Sequence, residues 1–458
     1  MNKGILQYLS GYFRDGCKPE TEFRIGCEYE KFGFLNHDFA PLPYYGERSI
    51  FSILQKMQEY FNWQGEWEGD AIISMKKGNN SITLEPGGQI ELSAEPVETI
   101  KKCQDSFNEH IGELNEITKD WGVTWFAGGV IPHMAVEKIK LIPKQRYQIM
   151  DTYLAKKGRL ARHMMRLTQS IQISIDFFDE CEAIKKFRVA MAISPLVAAI
   201  FANSPFLNGK PTGFHSFRQK IWQETDPERC GLIKRLFQQG DYSFVEYTNF
   251  ASNVPMMFGK STDASGNSKW YSMDGANFLE FLQSTDETLW LDLFKLHLTG
   301  IFTEVRLKTY IEIRSTDCVP EPYLHCIPAL WKGIMYDNDA LDEAWKLVSN
   351  LDISERLALK IELAKNSILA ILKGRQIYPL CMELIKIARS GLKRQGRRRP
   401  LFSGEEKYLD PIEALLEDHL NPALLWLKEM ENKEADPGSY FDFARFLTTN
   451  YPVTNYPG

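Results

Sequence analysis

Glu28 and Glu30 stand two residues apart in "RIGCEYEKFGF", Arg24 to Phe34, with Ile25, Cys27 and Tyr29 at the alternate positions. In a strand, alternate residues share a face, so both carboxylates project one way and the apolar groups the other. The pattern recurs in three more segments. In "ITLEPGGQIELS", Ile82 to Ser93, Gln89, Glu91 and Ser93 share a face, and Glu85 precedes a Pro-Gly-Gly turn. "SIQISID", Ser170 to Asp176, sets Gln172, Ser174 and Asp176 against Ile171, Ile173 and Ile175. "TEVRLKTYIEIRSTD", Thr303 to Asp317, offers Glu304, Arg306 and Lys308, then Glu312 and Arg314.

Taken singly, each face is that of a strand looking at water. Together they collect Glu with Gln and Arg, whereas solvent faces favour Thr, Lys and mixed charge. Carboxylates converging in one cavity repel and raise one another's pKa values unless a cation neutralises them. Hard divalent cations with oxygen ligands meet that need, and Mg²⁺ held by carboxylates serves a nucleotide's phosphates. Arg314, two residues from Glu312, suits a site that holds metal and phosphate together. The spacing predicts an ATP-and-Mg²⁺ site. It is not a P-loop or a Rossmann site, since neither glycine motif is present.

The elements that position these residues are mixed. Pro96 to Trp121 is an amphipathic helix with Ile100, Phe107, Ile111, Leu114 and Ile117 on one side, and it places His110 as a structural residue. Strand patterns concentrate before about Phe178 and from Tyr242 to Arg314; helices dominate from about Leu324. Without regular β-α alternation, this reads as an α+β fold with an antiparallel sheet. Val189 to Ala202 is apolar but holds Pro195, which predicts a buried helix kinked or broken there. "GLKRQGRRRP", with five basic residues between Lys393 and Arg399, reads as a solvated loop or one closing over phosphates.

The net charge of −6 argues against a nucleic-acid binder. No run is long enough to span a bilayer, and the first residues lack the pattern of a secretory signal. The eight scattered cysteines form no zinc or disulfide framework, so a cytoplasmic protein with reduced thiols is expected. Arg218 and Arg229, within "HSFRQKIWQETDPERCG", are each able to clamp a carboxylate as a bidentate fork.

Six segments, "RIGCEYEKFGF", "LEPGGQIELSAEP", "RHMMRLTQSIQISIDF", "ANSPFLNGKPTGFHSFRQKIWQETDPERCG", "FTEVRLKTYIEIRSTD" and "YLDP", occur in an order that resembles glutamate–cysteine ligase of the plant and proteobacterial type. They span roughly residues 23 to 411. The resemblance implies a glutamine-synthetase-like catalytic fold, with a curved, mainly antiparallel sheet forming a funnel flanked by helices. It implies one catalytic domain over residues 1–458, mainly helical from about 321.

The implied reaction is ATP-dependent ligation of L-glutamate, through γ-glutamyl phosphate, to L-cysteine, the first step of glutathione synthesis. The implied cofactor is Mg²⁺, with Mn²⁺ as a substitute, and ATP is co-substrate. Carried over by position, Glu28, Glu30, Glu85, Glu91 and Glu312 are metal ligands. Gln89, Gln172, Ser174 and Arg314 contact ATP, although Ser174 stands where many members carry asparagine. Arg218, Arg166 and Arg229 hold the glutamate α-carboxylate, and Tyr247 lines the amino-acid pocket. Glu30 and Arg314 are the positions expected to act directly in catalysis. The expected partners are glutamate, cysteine and ATP, with no nucleic acid or membrane, for a monomer or homodimer. The alternatives are a γ-glutamyl ligase for another amine, a non-catalytic nucleotide or glutamate binder, and a guanidino-kinase-like phosphotransferase.

Overall fold

The computed structural model describes residues 2–262, 268–431 and 438–440. Among them, nine strands form one sheet in which every pairing is antiparallel. They are β1 (Ile25–Leu35), β2 (Gln64–Glu68), β3 (Ala71–Lys77), β4 (Asn80–Leu84), β5 (Ile90–Ser93), β6 (Val123–Phe126), β7 (Ser170–Ile175), β8 (Val305–Leu307) and β9 (Ile311–Asp317). The order is β8-β9-β7-β1-β5-β4-β3-β2, with β6 paired to the far half of β1. The sheet does not close into a barrel.

The alternation read from the sequence sorts the two faces. Cys27, Tyr29, Ile90, Leu92, Ile171, Ile173, Ile175, Ile311 and Ile313 are all buried on one side. Helices α1 (Ile100–Thr118), α2 (Glu180–Ile200) and α3 (Cys326–Met335) pack against that side of β1, β7 and β9. Burying branched side chains between sheet and helices is the dominant favourable term and leaves the other face for polar groups. No helix of the described residues is long and apolar enough to cross a membrane.

Two expectations about helices change. α2 runs unbroken through Pro195, because nearly every residue from Ala183 to Ile200 is buried and neighbouring elements hold the chain in place. The basic run is not a loop either: it is the last two turns of α4 (Tyr378–Arg398). There Arg394 and Arg398, one turn apart, both reach the Asp337 carboxylate, so the repulsion expected of the run is relieved on one face. Pro400 follows the helix end.

α1 is anchored from a distance. Thr99 caps it by accepting from the Lys102 amide at 3.2 Å, and the Ile100 amide donates to Glu405 Oε1 at 2.8 Å. The other Glu405 oxygen lies 2.6 Å from Lys332 Nζ on α3, with both side chains nearly fully buried. Removing one partner of a buried pair strands the other charge. Glu405→Ala is therefore expected to cost about 3–5 kcal/mol, measured as a lower chemical-denaturation midpoint.

Candidate active site

Register brings the polar faces together. Glu28 lies opposite Gln172 on β7 and Ser93 on β5; Glu30 lies opposite Glu91, which in turn faces Thr83 on β4. On the other flank Glu312 lies between Ser174 and Arg306. These rows open onto a cavity of about 320 Å³. Glu28, Glu30, Glu85, Glu91 and Glu312 line it, and so do Lys144, Arg146, Arg218, Arg306, Lys308 and Arg314.

The carboxylates are held under mutual repulsion. Burial, with Glu91 and Glu312 nearby, pushes Glu28 up to about 8. Burial, with Glu91 and Glu85, pushes Glu30 up to about 8, against the hydrogen bond from Ser170. Burial and Glu85 raise Glu91 to about 7. Their positions are fixed by neutral donors. Ser170 gives its amide (2.7 Å) and hydroxyl (3.0 Å) to Glu30, and Gln172 adds its amide nitrogen at 3.2 Å. Thr83 and Ser93 donate to one oxygen of Glu91 at 2.8 and 3.2 Å.

Glu312 behaves in the opposite way. Burial works to raise it, but Arg306, Lys308 and Arg314 hold it well below the usual carboxylate range. One oxygen meets Lys308 at 2.8 Å; the other meets Arg306 at 2.6 Å and Arg314 at 3.0 Å. Expected as a metal ligand, Glu312 instead has both oxygens engaged by cations and serves as the hub of the basic wall. Arg314 also donates to Gln172 Oε1 at 2.5 Å, and that glutamine binds Glu30, so the basic and acidic walls are bridged.

A β-bulge sets Arg218. Between Ile313 and Thr316 the pairing of β9 with β7 slips by one residue. The carbonyls of Arg314 and Ser315 turn to Arg218, on the short helix Phe217–Gln223, which donates to them at 3.0 and 3.4 Å. The buried Arg218 Nε has no hydrogen-bond partner, nor do Arg146 Nε and Trp222 Nε1, and all three side chains line the cavity. Buried donors left unpaired in a cavity are suited to an acceptor-rich ligand.

Other expected site residues lie elsewhere. Arg166 is tied to Asp151 at 2.6 Å and does not line the cavity. Arg229 is buried, pairs with Asp226 at 2.6 Å, donates to Gly300 O, Pro255 O and the Tyr153 hydroxyl, and does not line the cavity. Tyr247 is buried against Phe13 and Phe187, and its hydroxyl accepts from the Leu307 amide at 3.1 Å, fixing β8. Ser174 shares the sheet face, but its short side chain sits beside Gly26 outside the cavity lining. Gln89 lines the cavity with its amide engaged: it accepts from the Gly87 amide at 2.9 Å and donates to Thr168 O at 2.7 Å. It braces the Pro-Gly-Gly turn.

Arg306 and Lys308, to which the sequence assigns no role, stand beside Glu312, and strand alternation is their signal. Lys144, Arg146 and Trp222 carried none. Arg146 is aimed by Phe258 and Trp270, whose rings lie 4.5 and 5.8 Å from its guanidinium.

The donor set fits a divalent cation. Glu28, Glu30, Glu85 and Glu91 are hard oxygen ligands whose shared burden of negative charge a dication would relieve. Among the described residues, no three acidic, histidine or cysteine side chains form a ready-made cage.

The family model described as glutamate-cysteine ligase family 2 matches residues 24–440. The chain is 35% identical over 431 residues to a chloroplastic glutamate–cysteine ligase of Arabidopsis thaliana, covering 93% of this chain and 80% of that protein. It is 34% identical over 430 residues to the chloroplastic glutamate–cysteine ligase B of Oryza sativa subsp. japonica, covering 93% and 84%. That both relatives are named chloroplastic overturns the expectation of a cytoplasmic protein. The glutamate–cysteine ligase of Francisella tularensis, solved with AMP, superimposes with a TM-score of 0.55 at 12% identity, covering 94% of this chain and 90% of that one, and shares the fold.

The raised carboxyl groups make stability fall with pH. Glu28, Glu30 and Glu91 bind protons more tightly in the folded state than in the unfolded chain, where the ordinary value is about 4.5. Their contribution is complete below that value and is lost as pH rises through about 7 to 8. Thermal melts with chelator present are expected to shift downward from pH 5 to pH 8, and a divalent cation is expected to reverse the shift.

Proposed function

The chain belongs to glutamate–cysteine ligase family 2, and from that premise we propose how its cavity forms γ-glutamylcysteine from L-glutamate, L-cysteine and ATP, the first step of glutathione synthesis. The observation that carries the reading is one cavity with two walls: Glu28, Glu30, Glu85 and Glu91 on one, Arg306, Lys308 and Arg314 on the other.

The γ-carboxylate of glutamate is a poor electrophile, so it must first be activated. One of its oxygens attacks the terminal phosphorus of ATP, the bond to ADP breaks, and γ-glutamyl phosphate forms. The free amine of cysteine then attacks the γ-carbonyl, a proton leaves the nitrogen, and phosphate departs. Transfer of this kind depends on positioning and charge neutralisation, and no protein nucleophile is needed. Arg306, Lys308 and Arg314 form the phosphate-binding wall. Glu312 holds their heads at a fixed spacing, which removes the cost of ordering three long side chains at the moment of reaction. Arg218, with its spare Nε, takes a substrate carboxylate, and Arg146 is aimed into the same space. Glu28, Glu30, Glu85 and Glu91 would hold Mg²⁺, with Mn²⁺ as a substitute, and the cation would supply charge neutralisation at the phosphate oxygens. Ser170 and Gln172 keep Glu30 oriented for it.

A second reading keeps this chemistry and changes the acceptor: a γ-glutamyl ligase for another small amine. Purified protein with Mg²⁺ and ATP is expected to release ADP and phosphate only when glutamate and cysteine are both present. Glutamate-dependent release with another amine, and none with cysteine, would establish the second reading. A stable phosphorylated product without free phosphate would exclude both.

Glu30→Gln keeps the side-chain shape and an acceptor oxygen for the Ser170 amide while removing the carboxylate charge, and its amide nitrogen no longer accepts from Gln172. It is expected to fold normally and to lower kcat by about 100-fold or more, roughly 2.7 kcal/mol of barrier. Near-normal turnover at saturating Mg²⁺ would remove Glu30 from the site.

A further inference from the structure

A second cavity, of about 250 Å³, lies at the C-terminal end of α4 and shares no lining residue with the catalytic one. It is built from the basic run that the catalytic chemistry leaves unused. Phe23, Met335, Tyr336 and Phe402 supply apolar wall, while Arg398 and Arg399 stand on it.

The floor is preformed. The Tyr336 hydroxyl accepts from the Asp176 amide at 2.8 Å and donates to Arg24 O, and the Tyr336 ring lies 5.1 Å from that of Phe23. Lys332 is already engaged by Glu405 and by the face of Phe402, 3.7 Å from its centroid. Arg398 is bound closely to Asp337 through one nitrogen, whereas Arg399 is held more loosely. Arg399 reaches Glu98 only at 3.6 Å and lies over Phe402 at 4.6 Å. Arg24 and Lys102 also surround Glu98, at 3.7 and 3.6 Å, so three cations share one carboxylate without a close bond to it. Arg398 and Arg394 share Asp337. Glu20 and Glu182 also line the cavity, Asp339 lies 3.8 Å from Arg394, and Lys186 pairs with Glu182 at 3.1 Å, so six cations face five acids. Arg398 and Arg399 keep 57% and 41% of their side-chain surface open to solvent.

We propose that this cavity is a second, non-catalytic site for a small organic anion with an apolar or aromatic body. The anionic group is taken by the Arg398 and Arg399 forks, which match a carboxylate or a phosphate equally. The body lies on Phe402, Tyr336 and Phe23. The volume falls just below the range of drug-sized pockets, which restricts the occupant to a small molecule.

The test titrates the full chain with phenyl phosphate, phenylacetate and inorganic phosphate by calorimetry, with glutamate, ATP and Mg²⁺ saturating the catalytic cavity. At least one aromatic anion is expected to bind, with inorganic phosphate at least tenfold weaker. Preference for phenyl phosphate marks a phosphate ligand, and preference for phenylacetate a carboxylate. R398Q/R399Q is expected to weaken binding at least tenfold; its fold is retained because Arg394 still holds Asp337, and its ligase rate without probe is unchanged. F402L, which leaves both arginines, is expected to weaken the aromatic anions and leave inorganic phosphate unaffected. Absence of binding by both aromatic anions, or equal affinity in wild type and R398Q/R399Q, overturns the proposal.

Discussion

Burying several carboxylates on one face of a sheet is the constraint around which this molecule is arranged. Glu30 and Glu91 are directly opposite across β1 and β5, a pairing of like charges that by itself destabilises a sheet. Three things make it tolerable. Neutral donors from Ser170, Gln172, Thr83 and Ser93 fix the oxygens, burial and mutual repulsion favour the protonated forms of Glu28 and Glu30, and a solid apolar layer behind the sheet stabilises the strands that carry them.

The basic wall solves a complementary problem. Three cations side by side would splay apart, and Glu312 prevents this by engaging all of them from a fixed strand position. Placing both walls on strands gives them the rigidity that phosphoryl transfer rewards. The bulge in β9 then links backbone to function: the carbonyls it releases seat Arg218, which faces the same cavity from a helix. One irregularity in pairing thus ties three elements to one site.

Reading the residues in order was sufficient wherever period two governed. Glu28, Glu30, Gln172, Glu91, Glu312 and Arg314 came out on shared faces because the pleat dictates it. It failed wherever a long side chain chooses between partners. Arg166, Arg218 and Arg229 look alike in the chain, yet Asp151 takes the first, freed strand carbonyls seat the second and Asp226 takes the third. The basic run looked like a loop because its charge seemed unrelieved; Asp337, more than fifty positions away, relieves it.

What the chain determines by itself is therefore which residues share a face, that the back of the sheet is apolar, and that acid is grouped with amide and guanidinium. These are local properties, set by backbone periodicity and residue type. Which faces meet, which arginines remain free, and how far each carboxyl is driven from its ordinary behaviour were decided only by the tertiary structure. Ionisation and pairing depend on distance and on the removal of water, and both come from elements far apart in the chain.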